Sequence, residues 1–121
     1  MKKLNIVFLD SATIGSDVSL ESIALLGAFT CFPSTKSEEI AERIANADII
    51  ITNKVRIFQP EMDAAPMLKL ICVAATGTDN VDRVYAQSKG IAIKNVTGYS
   101  TDSVAQLTFA HLLALVTRLP Y

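Results

Sequence analysis

The chain has 121 residues, of which 50% are hydrophobic and 19% charged, with a formal net charge of −1. That is one domain's worth of sequence with ample apolar side chains for a core, which excludes a disordered or low-complexity protein. Acids and bases are mixed without a basic stripe, which argues against a nucleic-acid surface, and no run approaches the roughly 18 apolar residues of a membrane helix.

The opening MKKLNIVFLD sets two lysines before an apolar run, but Asp10 stops that run too soon for a signal peptide. Leu4 to Leu9 therefore reads as a first strand. Leu20 to Leu26 carries helical spacing with Gly27 as its C′ stop, and Ala28 to Phe32 is a short second strand. Ser37 to Ala45 reads as an amphipathic helix, with Ile40 and Ile44 inward and acids in its first turn. Asp48 to Thr52 is a continuous apolar strand, the pattern of a parallel sheet covered on both faces. Pro60 to Ala65 is a short helix opened by its proline. Leu70 to Ala75 is a second fully buried strand, Asp82 to Ser88 a helix ending at Gly90, and Ile91 to Ile93 a fifth strand. Strands alternating with helices predict a flavodoxin-like, doubly wound α/β fold around a five-stranded parallel sheet.

Cys31 and Cys72 lie far apart in apolar runs, outside any CxxC or Cys/His cluster. Both are expected as buried free thiols, which fits a cytoplasmic protein.

Ser100 to Leu119 reads as one long helix, roughly 30 Å at 1.5 Å per residue. Ser100 or Thr101 caps it, Asp102 complements its dipole and Pro120 ends it. Its apolar residues, including Val104, Leu107, Phe109, Leu112, Leu113 and Val116, cover nearly the whole circumference. A helix apolar all round is buried all round. It is tucked against its own domain, or it is meant for a second domain or a subunit interface. His111, the only histidine, sits within this helix and reads as a packed side chain rather than a catalytic base.

In an open α/β sheet, ligands bind beyond the carboxyl ends of the strands. That rule selects the loops Asp10 to Ser16, Asn53 to Arg56, Thr76 to Asn80 and Asn95 to Thr101. Gly77 lets a ligand approach the backbone, and the N–H groups of Thr76 and Gly77 form a nest for an anion such as a carboxylate. The same stretch also reads as a plain turn with Asp79 or Asn80 capping the next helix. Lys54 stands past a strand end, either to hold an acidic substrate or as a solitary surface lysine, and Arg56 is a weaker candidate of the same kind. The five glycines (15, 27, 77, 90 and 98) compose neither GxGxxG nor a P-loop, so a dinucleotide phosphate site is not expected in this chain. No metal-ligand cluster is present in the sequence either.

The blocks FLDSATIG (Phe8 to Gly15), ITNKV (Ile51 to Val55), ICVAATGTDNVD (Ile71 to Asp82) and NVTGYSTDSVAQ (Asn95 to Gln106) resemble the D-isomer-specific 2-hydroxyacid dehydrogenases. The likeness is strongest to the glycerate dehydrogenase (hydroxypyruvate reductase) branch and spans essentially the whole chain. It implies that residues 1–99 form the substrate-binding (catalytic) lobe. Residues 100–121 would then be the first helix of a Rossmann-type NAD-binding domain whose remainder lies beyond Tyr121.

By the same resemblance, the amides of Thr76 and Gly77 hold the substrate carboxylate, and Asn53 and Lys54 line the substrate end of the cleft. Thr101 and Val104 touch the nicotinamide side of NAD or NADP. Gln106 replaces a common Glu. The family's catalytic Arg, Glu and His belong to the cofactor domain, so no catalytic residue is expected in this chain. The implied reaction reduces a 2-oxo acid, such as hydroxypyruvate or glyoxylate, to a D-2-hydroxy acid, with the chain alone inactive and binding no cofactor. Burial of the last helix in a cofactor domain and a homodimer built through it follow.

The rival reading is a stand-alone flavodoxin-like binding or interaction module. It rests on Ser11 to Gly15 as a phosphate loop, with Tyr99 as the one aromatic at the strand ends to stack on a flavin. A phospho-receiver domain would need an acceptor Asp where Asn53 stands.

Overall fold

A computed structural model describes residues 2–118. Five strands, β1 (Asn5–Phe8), β2 (Ala28–Cys31), β3 (Ile49–Thr52), β4 (Leu70–Val73) and β5 (Ala92–Lys94), form one sheet in the order β2-β1-β3-β4-β5. Every pairing is parallel. Five helices connect and follow them: α1 (Glu21–Ala24), α2 (Ile40–Ile44), α3 (Gln59–Asp63), α4 (Arg83–Ser88) and α5 (Thr101–Thr117). This is the expected flavodoxin-like arrangement.

The core lies on one side of the sheet. Ile40 and Ile44 of α2, Met62 of α3 and Ala86 of α4 pack there against Val7, Ile50, Ile71 and Val73. The continuous apolar runs of β3 and β4 suggested burial on both faces, but both strands alternate. Ile50, Thr52, Ile71 and Val73 are buried, whereas Ile49, Ile51, Leu70 and Cys72 are half-buried. The cause is α1, four residues long instead of the seven expected from Leu20 to Leu26, which is too short to cover the opposite face. An apolar groove between Ile23, Leu26, Ile51, Leu70, Cys72 and Val96 remains open there.

Gly27 is not a left-handed helix stop; the positive φ angles among the glycines belong to Gly15, Gly90 and Gly98. A Cβ at Gly27 would collide with the carbonyl of Leu4, to which Ala28 donates its N–H (2.7 Å). The glycine is there for close backbone approach.

Cys31 also departs from expectation: it lies exposed at the end of edge strand β2. Cys72 is half-buried on the open face, and that burial pushes its thiol pKa up. Both thiols are free.

No residue of α5 is buried, and its large apolar side chains from Val104 to Val116 are 53–72% exposed. The helix does not fold back onto its own sheet. His111 is accordingly exposed rather than packed. Ser100 occupies the N-cap position without a side-chain capping bond, and Asp102 lies in the first turn. The helix ends at Thr117, with Arg118 left-handed at φ 55°. Leu119 and Pro120, assigned to its end from the sequence, lie outside the described residues.

On the surface, Asp63 ties α3 to α4 by accepting from the Tyr85 hydroxyl and the Lys89 ammonium. The Tyr85 hydrogen bond first, then that of Lys89, holds the Asp63 carboxyl below the usual carboxylate range. A depressed folded-state pKa adds stability above the unfolded value, about pH 4, that is lost as pH falls through the folded value. Asp63→Asn is therefore expected to lower the urea midpoint slightly at pH 7. The difference from wild type should shrink as pH falls below the unfolded value, as checked by denaturation at pH 7 and in acid.

Candidate functional site

Parallel strands send all their carboxyl ends to one edge, and β1, β3, β4 and β5 deliver the four selected loops there. After β1 the chain makes a 3-10 turn, Ser11–Ile14, fastened to β2's end by Ser11 N–H on Phe32 O (3.0 Å). Asp10, directly before that turn, is 4% exposed. Its carboxylate accepts three consecutive N–H groups of the loop after β3: Asn53 on Oδ1 (2.8 Å), with Lys54 and Val55 on Oδ2 (2.6 and 3.2 Å). Asn53 turns its amide to Thr13 Oγ1 (2.9 Å). The exposed Lys54 side chain remains available.

The loop after β4 is anchored differently. Ala74 donates to Thr52 O (2.8 Å), and Asn95 Nδ2, from the loop after β5, donates to Thr76 O (2.7 Å). Val96 N–H adds a bond to Ala75 O (3.1 Å). Among the described residues, no hydrogen bond takes up the N–H of Thr76 or Gly77, and both residues are exposed. A Cβ built on Gly77 would meet only Asp79 Oδ1, at 3.1 Å. The helix cap expected from Asp79 or Asn80 belongs to Asp82 instead, whose carboxylate accepts from Tyr85 N–H (3.0 Å).

Two amide clusters thus stand at this edge. One is plugged by Asp10; the other, at Thr76 and Gly77, is open. Asn80 joins the two loops by donating to Val55 O (3.0 Å). Lys54 also borders a cavity of about 770 Å³ among the loops after β1, β2 and β3, together with Thr13, Thr35, Arg56 and Glu61. Thr76 and Gly77 do not line it. Arg56 lies over the Phe58 ring (4.5 Å).

Thr101 and Val104 open α5 just past Gly98 (φ 72°) and are exposed, so the structure does not bring them against the other loops. Sequence reasoning missed Asp10, Asn80 and Asn95 as anchors. An acid directly after a buried strand was the available signal for Asp10.

No strand end in the described residues runs through a glycine-rich turn into a helix; each of these loops has at most one glycine. The residues present therefore do not cradle a dinucleotide pyrophosphate. Among the described residues there is also no group of three metal-ligating side chains, and no helix is long and apolar enough to cross a membrane.

The fold and this edge define an open, parallel α/β protein whose strand-end loops gather at one side. The chain belongs to the D-isomer specific 2-hydroxyacid dehydrogenase family, matching its catalytic domain over residues 6–117. It is 40% identical over 98% of its length to a Haemophilus influenzae protein assigned to the 2-hydroxyacid dehydrogenases. It is 35% identical over 91% of its length to the glycerate dehydrogenase of Methylorubrum extorquens. Among solved structures, D-lactate dehydrogenase from Aquifex aeolicus, complexed with NAD and lactic acid, superposes with a TM-score of 0.81 at 29% identity over 95% of the chain. The chain spans 36%, 35% and 34% of these three proteins, about a third of each.

Proposed function

We propose that this chain is the substrate-binding part of an NAD(P)-dependent D-2-hydroxyacid dehydrogenase that interconverts a small 2-oxo acid, such as hydroxypyruvate or glyoxylate, with its D-2-hydroxy acid. In this reading residues 1–99 are the substrate lobe, and α5 belongs to a cofactor domain and to a homodimer interface. The single observation that carries the reading is the contrast between the two amide clusters. Asp10 occupies the cluster at 53–55, which leaves the N–H groups of Thr76 and Gly77 as the open anion site at the sheet's carboxyl edge. Two free N–H groups without a side chain in the way suit a carboxylate, and hydrogen bonds to a charged acceptor are the strong ones.

Lys54 then supplies a positive charge at the substrate end, and Asn53, its side chain committed to Thr13, borders that end. Thr101 and Val104 face the nicotinamide side of the cofactor in the whole protein. The glyceric-acid and lactic-acid chemistry in the relatives' names supports this substrate class.

Titration of the ¹⁵N-labelled chain with hydroxypyruvate tests the reading. Shift changes should concentrate at the amides of Thr76 and Gly77 and extend to Lys54. Shifts confined elsewhere, or none at saturating millimolar ligand, contradict it. Because the described residues form no pyrophosphate cradle, no oxidation of NADH by hydroxypyruvate is expected from the purified 121 residues. Measurable turnover at 340 nm, free of longer protein, would overturn that expectation.

A further inference from the structure

The loop after β3 is gripped from two sides. Its three N–H groups converge on the Asp10 carboxylate, which is 4% exposed. Its carbonyls are held by other side chains: Asn80 Nδ2 donates to Val55 O (3.0 Å) and Asn53 O (3.5 Å), and Thr52 Oγ1 donates to Val55 O (3.0 Å). One step further, Ile57 and Val81 form a parallel bridge, with Ile57 N–H on Asn80 O (2.8 Å) and Asp82 N–H on Ile57 O (3.1 Å). The loop bearing Lys54 and the loop bearing Thr76 and Gly77 are thereby locked together.

A buried carboxylate is tolerated only where donors surround it. An amide at position 10 would turn an N–H donor towards at least one backbone N–H. A carboxyl group, with an acceptor oxygen on each side, meets all three donors. With Asn53's side chain taken by Thr13, the Lys54 ammonium is the one charged group this clamp presents.

We propose that Asp10, assisted by Asn80, is the positioning residue of Lys54: it plugs the amide nest of residues 53–55 and so fixes where the ammonium stands at the sheet's carboxyl edge. The inference rests on the carboxylate-site reading above, and its test separates the two. Asp10→Asn, Asn80→Ala, Lys54→Ala and the Asp10→Asn/Lys54→Ala pair are made in the 121-residue chain. Amide hydrogen exchange and hydroxypyruvate affinity are measured for each.

Exchange at residues 53–55 should quicken at least tenfold in Asp10→Asn and in Asn80→Ala, while the amides of Ile50 and Ile71 keep their protection. Lys54→Ala should weaken hydroxypyruvate binding by about tenfold, the worth of one charge-assisted contact. Asp10→Asn should cost a similar factor, and the double variant should be no weaker than Lys54→Ala alone. A general structural role for Asp10 would instead multiply the two losses to about a hundredfold. That product, or unchanged exchange at 53–55, overturns the proposal. Should Asp10→Asn fail to fold, Asn80→Ala, combined with Lys54→Ala in the same cycle, decides the question. Absence of binding in the unaltered chain refutes the carboxylate reading, while the exchange measurement still decides whether Asp10 holds the loop.

Discussion

At micromolar concentration the chain is expected to scatter light as a dimer, and Leu112→Glu with Val116→Glu is expected to return it to a monomer. The two positions are four apart and share one face of α5. They are 53% and 72% exposed, amid Leu107, Phe109, Leu113 and Leu115 at 58–64%. Fully covering a Leu or Phe contributes about 1.5–3 kcal/mol, so the partly exposed side chains of two such helices together reach the order of the roughly 4–15 kcal/mol that association costs. The helix leaves its own sheet uncovered, so it is available to a second copy, either packed against its symmetry mate or exchanged about Gly98. Two glutamates in that contact would bring four unpaired carboxylates into a dimer, each strongly disfavoured in an apolar interface. A clean monomer with an ordered α5 would refute the association.

Gly77→Val is expected to abolish most of the hydroxypyruvate affinity while leaving the fold intact. Gly77 has no positive φ to lose, and an added Cβ meets only the end of the Asp79 side chain. The stability change should therefore stay within about 1 kcal/mol. A branched side chain above the two N–H groups keeps a carboxylate out of hydrogen-bond range. Losing one or both charge-assisted bonds, each worth about 1.5–3 kcal/mol, weakens binding by at least tenfold. Calorimetric or shift titration of both chains measures this directly. A folded Gly77→Val chain with near-normal affinity would show that the carboxylate sits elsewhere.

Much of the fold could be read from local pattern. The β-branched and apolar runs Leu4 to Leu9, Asp48 to Thr52 and Leu70 to Ala75 contain the strands that end at Phe8, Thr52 and Val73, and Ile40 and Ile44 turned inward at helical spacing. What failed depended on partners that the local sequence does not describe. The run Ile49–Ile51 looks the same whether one face of the sheet is covered or two, and a short α1 left one open. Gly27 resembles a helix stop, yet its need is set by Leu4, more than twenty residues earlier in the chain. His111 reads as buried because its neighbours are apolar, but those neighbours are themselves exposed; Cys31 shares an apolar run with the half-buried Phe29 and Phe32, yet falls on the exposed side of edge strand β2.

The candidate site divides in the same way. Thr76 and Gly77 announce themselves as a glycine-bearing turn at a strand's carboxyl end. Asp10 does not. Its function comes from β1 lying beside β3 in the sheet, which sets residues 10 and 53–55 together across more than forty positions of sequence. Adjacency in a crossover topology is not a spacing that one sequence displays.

Whether the Thr76–Gly77 amides receive a substrate carboxylate is decided by a crystal structure of the chain grown with hydroxypyruvate. Carboxylate oxygens within about 3.2 Å of both backbone nitrogens, with the Asp10 carboxylate still on the amides of 53–55, is the predicted result. A ligand carboxylate in the cavity beside Lys54 and Arg56, with the Thr76 and Gly77 amides unengaged, would contradict it.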